Sequence, residues 1–339
     1  MKSVNKKYIL LLLLGISFLS CSQKKEDIIN QNPDITADNI VEEIAKQVKH
    51  YPSEKIYNLG YSNDKCYFDM YIDGVKLSKA FNKALGNTAV EINNVIFKSG
   101  KHTVSYKMYP LGKSKEYEEV FNTLVDGTTL EFDLTSYDKK NANAQDVEYT
   151  THKAPQISQE LSPGYFKDKF AGSGKTFYEG SFEINIDVPY TSHSAFEKAQ
   201  DLRKVDKKEL QEKLLKKYKE VWNIYQNKEL DNIARLEYNT LHDLYVSTYD
   251  SKEVINKNIS TMFNDIYKNS SFQMQPIEKY KLEFFADGKL AALMLDTNDN
   301  QLRGNTALWA KVNYDGGTRG FFLNRYFYIP QGETEFKVY

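Results

Sequence analysis

Two cysteines and five histidines are present among 339 residues, so thiol and imidazole chemistry has few places to occur. The histidines are His50, His102, His152, His193 and His242, and no two stand at the spacing of a local metal pair. Two cysteines also exclude a four-cysteine zinc site and a disulfide scaffold. Cys66 lies in an apolar stretch that reads as a strand, with no histidine placed to activate it. It is therefore read as a small buried hydrophobe. Gly172-Ser173-Gly174-Lys175-Thr176 has the residue types that cradle phosphate. The cradle needs glycine where Lys169 stands and a helix afterwards, whereas the following residues read as a strand. Nor is it a nucleophile elbow, since Ala171 replaces the first required glycine. Asp296-Thr297-Asn298-Asp299-Asn300 offers calcium-ligand chemistry. Gln301 takes the place of the turn glycine and Ala307 that of the closing glutamate, so a turn built from Asx side chains is expected instead. His242-Asp243 could hold a metal only with ligands from neighbouring helices, and it is read as a surface pair.

The carboxyl-terminal aromatics remain. Phe321, Leu323, Arg325, Phe327 and Ile329 alternate with Phe322, Asn324, Tyr326 and Tyr328, so large side chains occupy both faces of a strand. Trp309, Arg325 and Tyr326 are the candidate ligand-binding residues, on the view that aromatic and polar groups converge on a concave site. The alternative is that the aromatics are core and Arg325 pairs with a carboxylate. No catalytic set and no metal set emerges, and no cofactor is implied.

Composition narrows the partners. Basic residues number 45 against 46 acidic ones, giving a net charge of −1. A near-neutral chain lacks the broad positive surface that binds nucleic acid. Its basic residues are almost all lysine, which further disfavours forked recognition of bases and phosphates. The basic run at 203–220 is interspersed with Asp206, Glu209, Glu212 and Glu220 and carries a continuous apolar stripe, as the solvated face of a core helix does.

The amino terminus says where the chain goes. Lys2, Lys6 and Lys7 precede an apolar stretch, Tyr8 to Ser20, that is shorter than the about 20 residues needed to span a bilayer. A basic tip and a short apolar core form a secretory signal. Ser20, a small residue, and then Cys21 follow the apolar run. In this the segment resembles the signal of bacterial lipoproteins, which implies cleavage between Ser20 and Cys21 and acylation of the Cys21 thiol. Ser22 is not the aspartate that retains such proteins at the inner membrane. Gln23-Lys24-Lys25-Glu26-Asp27 resembles a surface-export signal of lipoproteins in one Gram-negative lineage. The implied location is the outer membrane, exposed at the cell surface or otherwise facing the periplasm. Each buried methylene contributes about 0.8 kcal/mol, so two or three acyl chains anchor a protein durably. Loss of residues 1–20 removes three lysines and no acids, leaving 42 basic against 46 acidic residues and a net charge of −4.

At about 150 residues per domain the length suggests two domains. Residues 21–52 are expected to comprise the lipidated cysteine, a polar tether over 22–36 and a short helix carrying Ile40, Val41, Ile44 and Val48. Residues 53–192 show period-two strands with turn signals, including Asp73-Gly74, and predict an antiparallel β-sandwich-like domain. The stretch 92–110 resembles the final hairpin of immunoglobulin-like or jelly-roll modules on secreted bacterial proteins. The apolar-poor region 139–176 is expected to form long loops. In 193–339 the period changes to 3.6, predicting three helices within about 203–268 and an antiparallel β-meander over 279–338. That element order is similar to the cone-shaped α+β fold of nuclear transport factor and scytalone dehydratase. The fold class expected is α+β. The function expected is that of a membrane-anchored, non-enzymatic binding protein with a protein partner foremost and a glycan second. A small-ligand carrier or enzyme with a pocket in the carboxyl-terminal domain is the alternative.

Overall fold

The computed structural model describes residues 28–141 and 143–339. The signal segment 1–20 and the Ser20–Cys21 junction lie outside the described residues. The fold is α+β, with antiparallel strands in several sheets and, among the described residues, four α-helices.

The amino-terminal half is built from strands. In order they are β1 (Lys55–Asp64), β2 (Tyr67–Ile72), β3 (Val75–Ala80), β4 (Leu85–Glu91) and β5 (Gly100–Tyr109). A short clip of β6 (Gly112–Lys113) and β7 (Val120–Phe121) follows. Then come β8 (Thr129–Asp138), β9 (Val147–Lys153), β10 (Gln156–Ser162), β11 (Tyr165–Phe170) and β12 (Tyr178–Ile186). They pair as β4-β1-β8-β9 and β12-β5-β2-β3. Alternation decides which side chains enter the core: Leu130, Phe132 and Leu134 of β8 are buried, as are Val104, Tyr106 and Met108 of β5. The two sheets meet through their rings, with Phe68 of β2 edge-on to Phe132 of β8 at 6.0 Å. Asp73 and Gly74 make the β2–β3 turn with φ of 48° and 74°, the left-handed pair that a two-residue hairpin needs.

Two expectations for this half are corrected. Strand β4 stops at Glu91 and Asn93–Val95 form a 3₁₀ turn, so 92–110 is not a hairpin. The Asn93 side chain causes the departure: it accepts from Tyr57 N at 2.8 Å and donates to Lys55 O and Ser247 O, replacing ladder bonds. Likewise 139–176 is not loop but contains β9, β10 and β11. Ladder hydrogen bonds hold these strands, and burial contributes little to them.

The helices are α1 (Ile40–Ala45), α2 (Lys207–Gln226), α3 (Leu230–Ser247) and α4 (Lys252–Thr261), the last running into a π-helical turn, Met262–Tyr267. Asp206 caps α2 by accepting from the backbone N–H groups of Lys208 and Glu209. Residues 28–36 are not a free tether. Gln31 is buried and exchanges hydrogen bonds with Val338, donating to its O at 2.9 Å and accepting from its N at 2.8 Å. Asn32 donates to Arg235 O, and Ile40 and Ile44 enter the same core as α2 and α3.

The remaining strands are β13 (Gln273–Met274), β14 (Tyr280–Phe285), β15 (Leu290–Leu295), β16 (Trp309–Tyr314), β17 (Gly317–Phe322), β18 (Phe327–Tyr328) and β19 (Lys337–Val338). They do not form one meander. The orders are β14-β15-β18-β19 and β13-β16-β17, joined where Leu293 and Leu295 bond to Ala307 and Asn305. All six residues of β15 are buried. Ala291, Leu293 and Leu295 face the helical core, whereas Leu290, Ala292 and Met294 face the core of the amino-terminal sheets. Phe327 and Tyr328 of β18 divide in the same way. One sheet thus serves as a wall shared by both halves. Leu290→Ala and Leu293→Ala should each lower stability by about 2–5 kcal/mol. In urea both should shift far-UV and near-UV circular dichroism together, in a single transition; separate transitions for the two halves would contradict the shared wall.

Candidate functional site

The three ligand-binding candidates do not converge. Arg325 and Tyr326 are adjacent in an extended segment, so their side chains leave on opposite faces. Arg325 points to the helices, where its Nη2 pairs with Glu237 of α3. The Glu237 side chain is 1% exposed and that of Arg325 13%. The hydroxyls of Tyr225 and Tyr267 donate to Glu237 Oε1 at 2.6 and 2.8 Å. Burial, and then the Glu237 charge, push both phenols well above their ordinary range, so they stay protonated donors. Arg325 is thus committed to a buried polar cluster, with its Nε alone lacking a partner among the described residues. Trp309 stacks on Phe322, its cross-strand partner, at 5.7 Å. Tyr326 instead meets Phe285 edge-on at 4.9 Å and lines a cleft between the two halves.

That cleft, of about 330 Å³, lies between β3 and the segments carrying Thr240, Gly304 and Tyr326. Charged residues gather beside it. Lys76 and Asp69 form an ion pair at 2.5 Å with both side chains 7% exposed. Lys79 donates to Arg303 O at 2.7 Å, and burial and the neighbouring Lys76 push its ammonium down to about 8. The Arg303 guanidinium rests against the adjacent rings of Phe81 and Tyr109, 4.4 Å from each centroid. A second cleft, of about 440 Å³, opens on the far side of Tyr109 and Arg303. Periodicity reveals none of this, because β3, β5 and the 296–304 loop are distant in sequence.

The other chemical motifs resolve into structural parts. Gly174 N and Lys175 O bond to Leu124, so the glycine-rich loop closes on the chain itself. In the 296–301 loop Thr297 Oγ1 accepts from Asp299 N, and Asp299 Oδ1 from Gln301 N. Cys66 is buried, and burial raises its thiol pKa far above the range of a nucleophile. Asp243 is not a surface residue: it accepts from Tyr339 Oη at 3.0 Å and sits 3.1 Å from His242 Nδ1. Among the described residues no group of three His, Cys, Asp or Glu side chains could hold a metal ion. His102 is buried, with Nδ1 2.6 Å from Asp73 Oδ2 and Nε2 3.0 Å from Lys98 O.

A different surface stands out for its exposure. Strands β10 and β11 pair only with each other. The ribbon is anchored at its base by Ala154 N donating to Leu130 O and Phe170 N to Asp126 O. Beyond that base it exposes Ile157, Leu161, Tyr165 and Phe166, the last two at 60% and 58%. Val147 and Tyr149 are also exposed, on β9, the edge of its sheet.

No protein-family model matches the chain, and no curated protein or solved structure is significantly similar to it.

Two predictions follow from these contacts. Arg325→Met should destabilise by about 3–5 kcal/mol in urea, because Glu237 is left buried and unpaired. Adding Glu237→Gln should restore more than half of that loss; no restoration would show that the ion pair is not the cause. The Asp73–His102 pair sets a pH window. The hydrogen bond to the Asp73 carboxylate outweighs the opposing effect of burial and, with the bond to Lys98 O, holds the imidazole pKa above its ordinary value. Its stabilisation is complete below about 6.5 and is lost as pH rises through the folded value. Asp73 is held low, so its own contribution is present above about 3.9 and is lost as pH falls through the folded value. NMR titration should place His102 above about 6.5, and Asp73→Asn should lower it.

Proposed function

We propose that the chain is an outer-membrane lipoprotein of the bacterial cell envelope, processed between Ser20 and Cys21 and held by acyl chains on Cys21. In this reading it faces the cell surface, or otherwise the periplasm, and acts as a non-enzymatic binding protein whose main partner is another protein. Residues 53–192 would form the β-sandwich-like module and 193–339 the helical α+β module. The edge-on ring contact of Phe68 with Phe132, between the two sheets, supports the first of these.

One observation carries the function: the β10–β11 ribbon exposes Ile157, Leu161, Tyr165 and Phe166 to solvent, and the edge strand β9 exposes Val147 and Tyr149. An isolated two-stranded ribbon is marginally stable in water and gains from being covered. Exposed apolar patches on an otherwise polar surface mark interaction sites. An edge strand adds backbone donors and acceptors that an extended polypeptide can pair with. A protein satisfies both demands, whereas a glycan satisfies neither the apolar run nor the open ladder.

A photo-reactive phenylalanine analogue at Phe166, in cells, should give a discrete adduct with an envelope protein. The same analogue at Lys219, on the solvent face of α2, should not. Equal adducts at both sites, or none at either, would refute docking through the ribbon. Separately, Cys21→Ala should abolish incorporation of an acyl reporter and release the chain to the soluble fraction. A variant that stays membrane-bound would rule out the anchor.

A further inference from the structure

The cleft beside Arg303 has a chemistry of its own, independent of the apolar ribbon. Arg303 is held through its backbone and through two ring contacts. Its N–H donates to Asp299 O at 2.7 Å and its carbonyl accepts from Lys79. Gly304, with φ of 75°, takes the left-handed conformation, and a Cβ there would lie 2.9 Å from both Lys79 Cδ and Phe81 Cε2. The chain can therefore pass close under Phe81 only as glycine. The guanidinium carbon lies 4.4 Å from the ring centroids of both Phe81 and Tyr109, which are themselves 5.6 Å apart, so the two rings support it together from one side and leave N–H donors for a partner. Among the described residues no carboxylate forms an ion pair with it; Asp69, whose charge acts on it, is committed to Lys76.

The cleft of about 440 Å³ is of a size that takes one small ligand. Arg303, Lys113, Asn122, Asn298, Asn300 and Thr176 supply its polar lining, and no acidic residue contributes. A ring-supported guanidinium with two N–H donors in one plane matches a carboxylate. Three carboxamides and a hydroxyl both donate and accept, as the hydroxyls of a sugar require. We propose that this cleft binds an acidic sugar, with the carboxylate held by Arg303 and the ring hydroxyls by the asparagine amides. Preorganisation of the guanidinium removes the side-chain ordering that normally opposes binding by an exposed arginine. A phosphate would be expected to draw on backbone N–H groups as well, and an acidic peptide would have little use for three carboxamides.

Calorimetry on the full-length chain in detergent tests this with glucuronate, glucose, acetate, inorganic phosphate and a diglutamate peptide. Glucuronate should bind saturably and at least about tenfold more tightly than glucose or acetate, the difference a charge-assisted fork provides. Arg303→Lys, which keeps the charge but loses the fork, should weaken glucuronate about tenfold with an unchanged melting temperature. If Arg303→Lys unfolds the chain, Asn298→Ala with Asn122→Ala on the cleft rim decides instead: glucuronate should weaken while acetate stays the same. Glucose binding as tightly as glucuronate, phosphate or the peptide binding more tightly, or no saturable binding of glucuronate would each overturn the proposal. None of these results bears on the ribbon, whose partner is read by crosslinking.

Discussion

The structure depends on one sheet being buried on both faces. In β15 every side chain is out of water, and alternate residues serve different cores. At about 25 cal/mol per Å² of apolar surface buried, such a strand is stabilised by both halves at once. The constraint shows in the residues chosen. Ala291 and Ala292 let the flanking layers approach, and Leu290, Leu293 and Met294 fill the space on either side. Tyr218 of α2 reaches across to accept from Leu293 N at 2.9 Å, satisfying a backbone donor that water cannot reach. Residues that begin in one half also finish the other: Tyr249, just after α3, packs among the amino-terminal sheets against Tyr51 and Tyr190.

A wall of this kind governs where polar groups can go. Glu237 and Arg325 lie between the helices and the sheet, where a charge survives only if paired and hydrogen-bonded. Two tyrosine hydroxyls complete the cluster, so the region where a pocket was sought is filled by side chains held to one another. Other charged residues gather at the seam between the halves. Lys76 and Lys79 come to that seam from β3, while Arg303 comes from the loop after β15.

Much of the architecture was legible because it is periodic. Leu210, Leu214, Tyr218, Val221 and Tyr225 recur at helical spacing, and all are buried on α2. The switch from period two to period 3.6 marks the change from strands to helices, which suffices for the α+β class. Strands β9 to β11 were not legible, since exposed strands carry no apolar alternation and are specified by pairing alone. The docking of 28–36 was equally silent: it rests on side-chain amides of Gln31 and Asn32 meeting backbone groups of Arg235 and Val338. Arg325 and Tyr326 stood out by type, but Glu237 lies 88 residues from Arg325, and no local pattern links them. The Arg303 ring contacts need Phe81 after β3, Tyr109 at the end of β5 and a loop beyond β15, so only the folded chain assembles them.

Rigidity and mobility are therefore distributed unequally over the surface. The seam inherits the stiffness of the wall, because its β3 side and its 296–304 side are both tied to β15. Gly74 O accepts from Ala286 N across the seam, and Leu295 N donates to Asn305 O beside it. Clefts bounded in this way keep their shape before a ligand arrives, which favours small, hydrogen-bonded ligands that depend on geometry. The β10–β11 ribbon is different. Past its base it has few buried contacts, and local opening of such a segment costs far less than global unfolding. A large apolar partner can be met by adjustment of the ribbon without disturbing either core. The fold thus separates two kinds of recognition surface, a preformed polar seam and a deformable apolar projection, and the shared wall is what keeps changes in one from reaching the other.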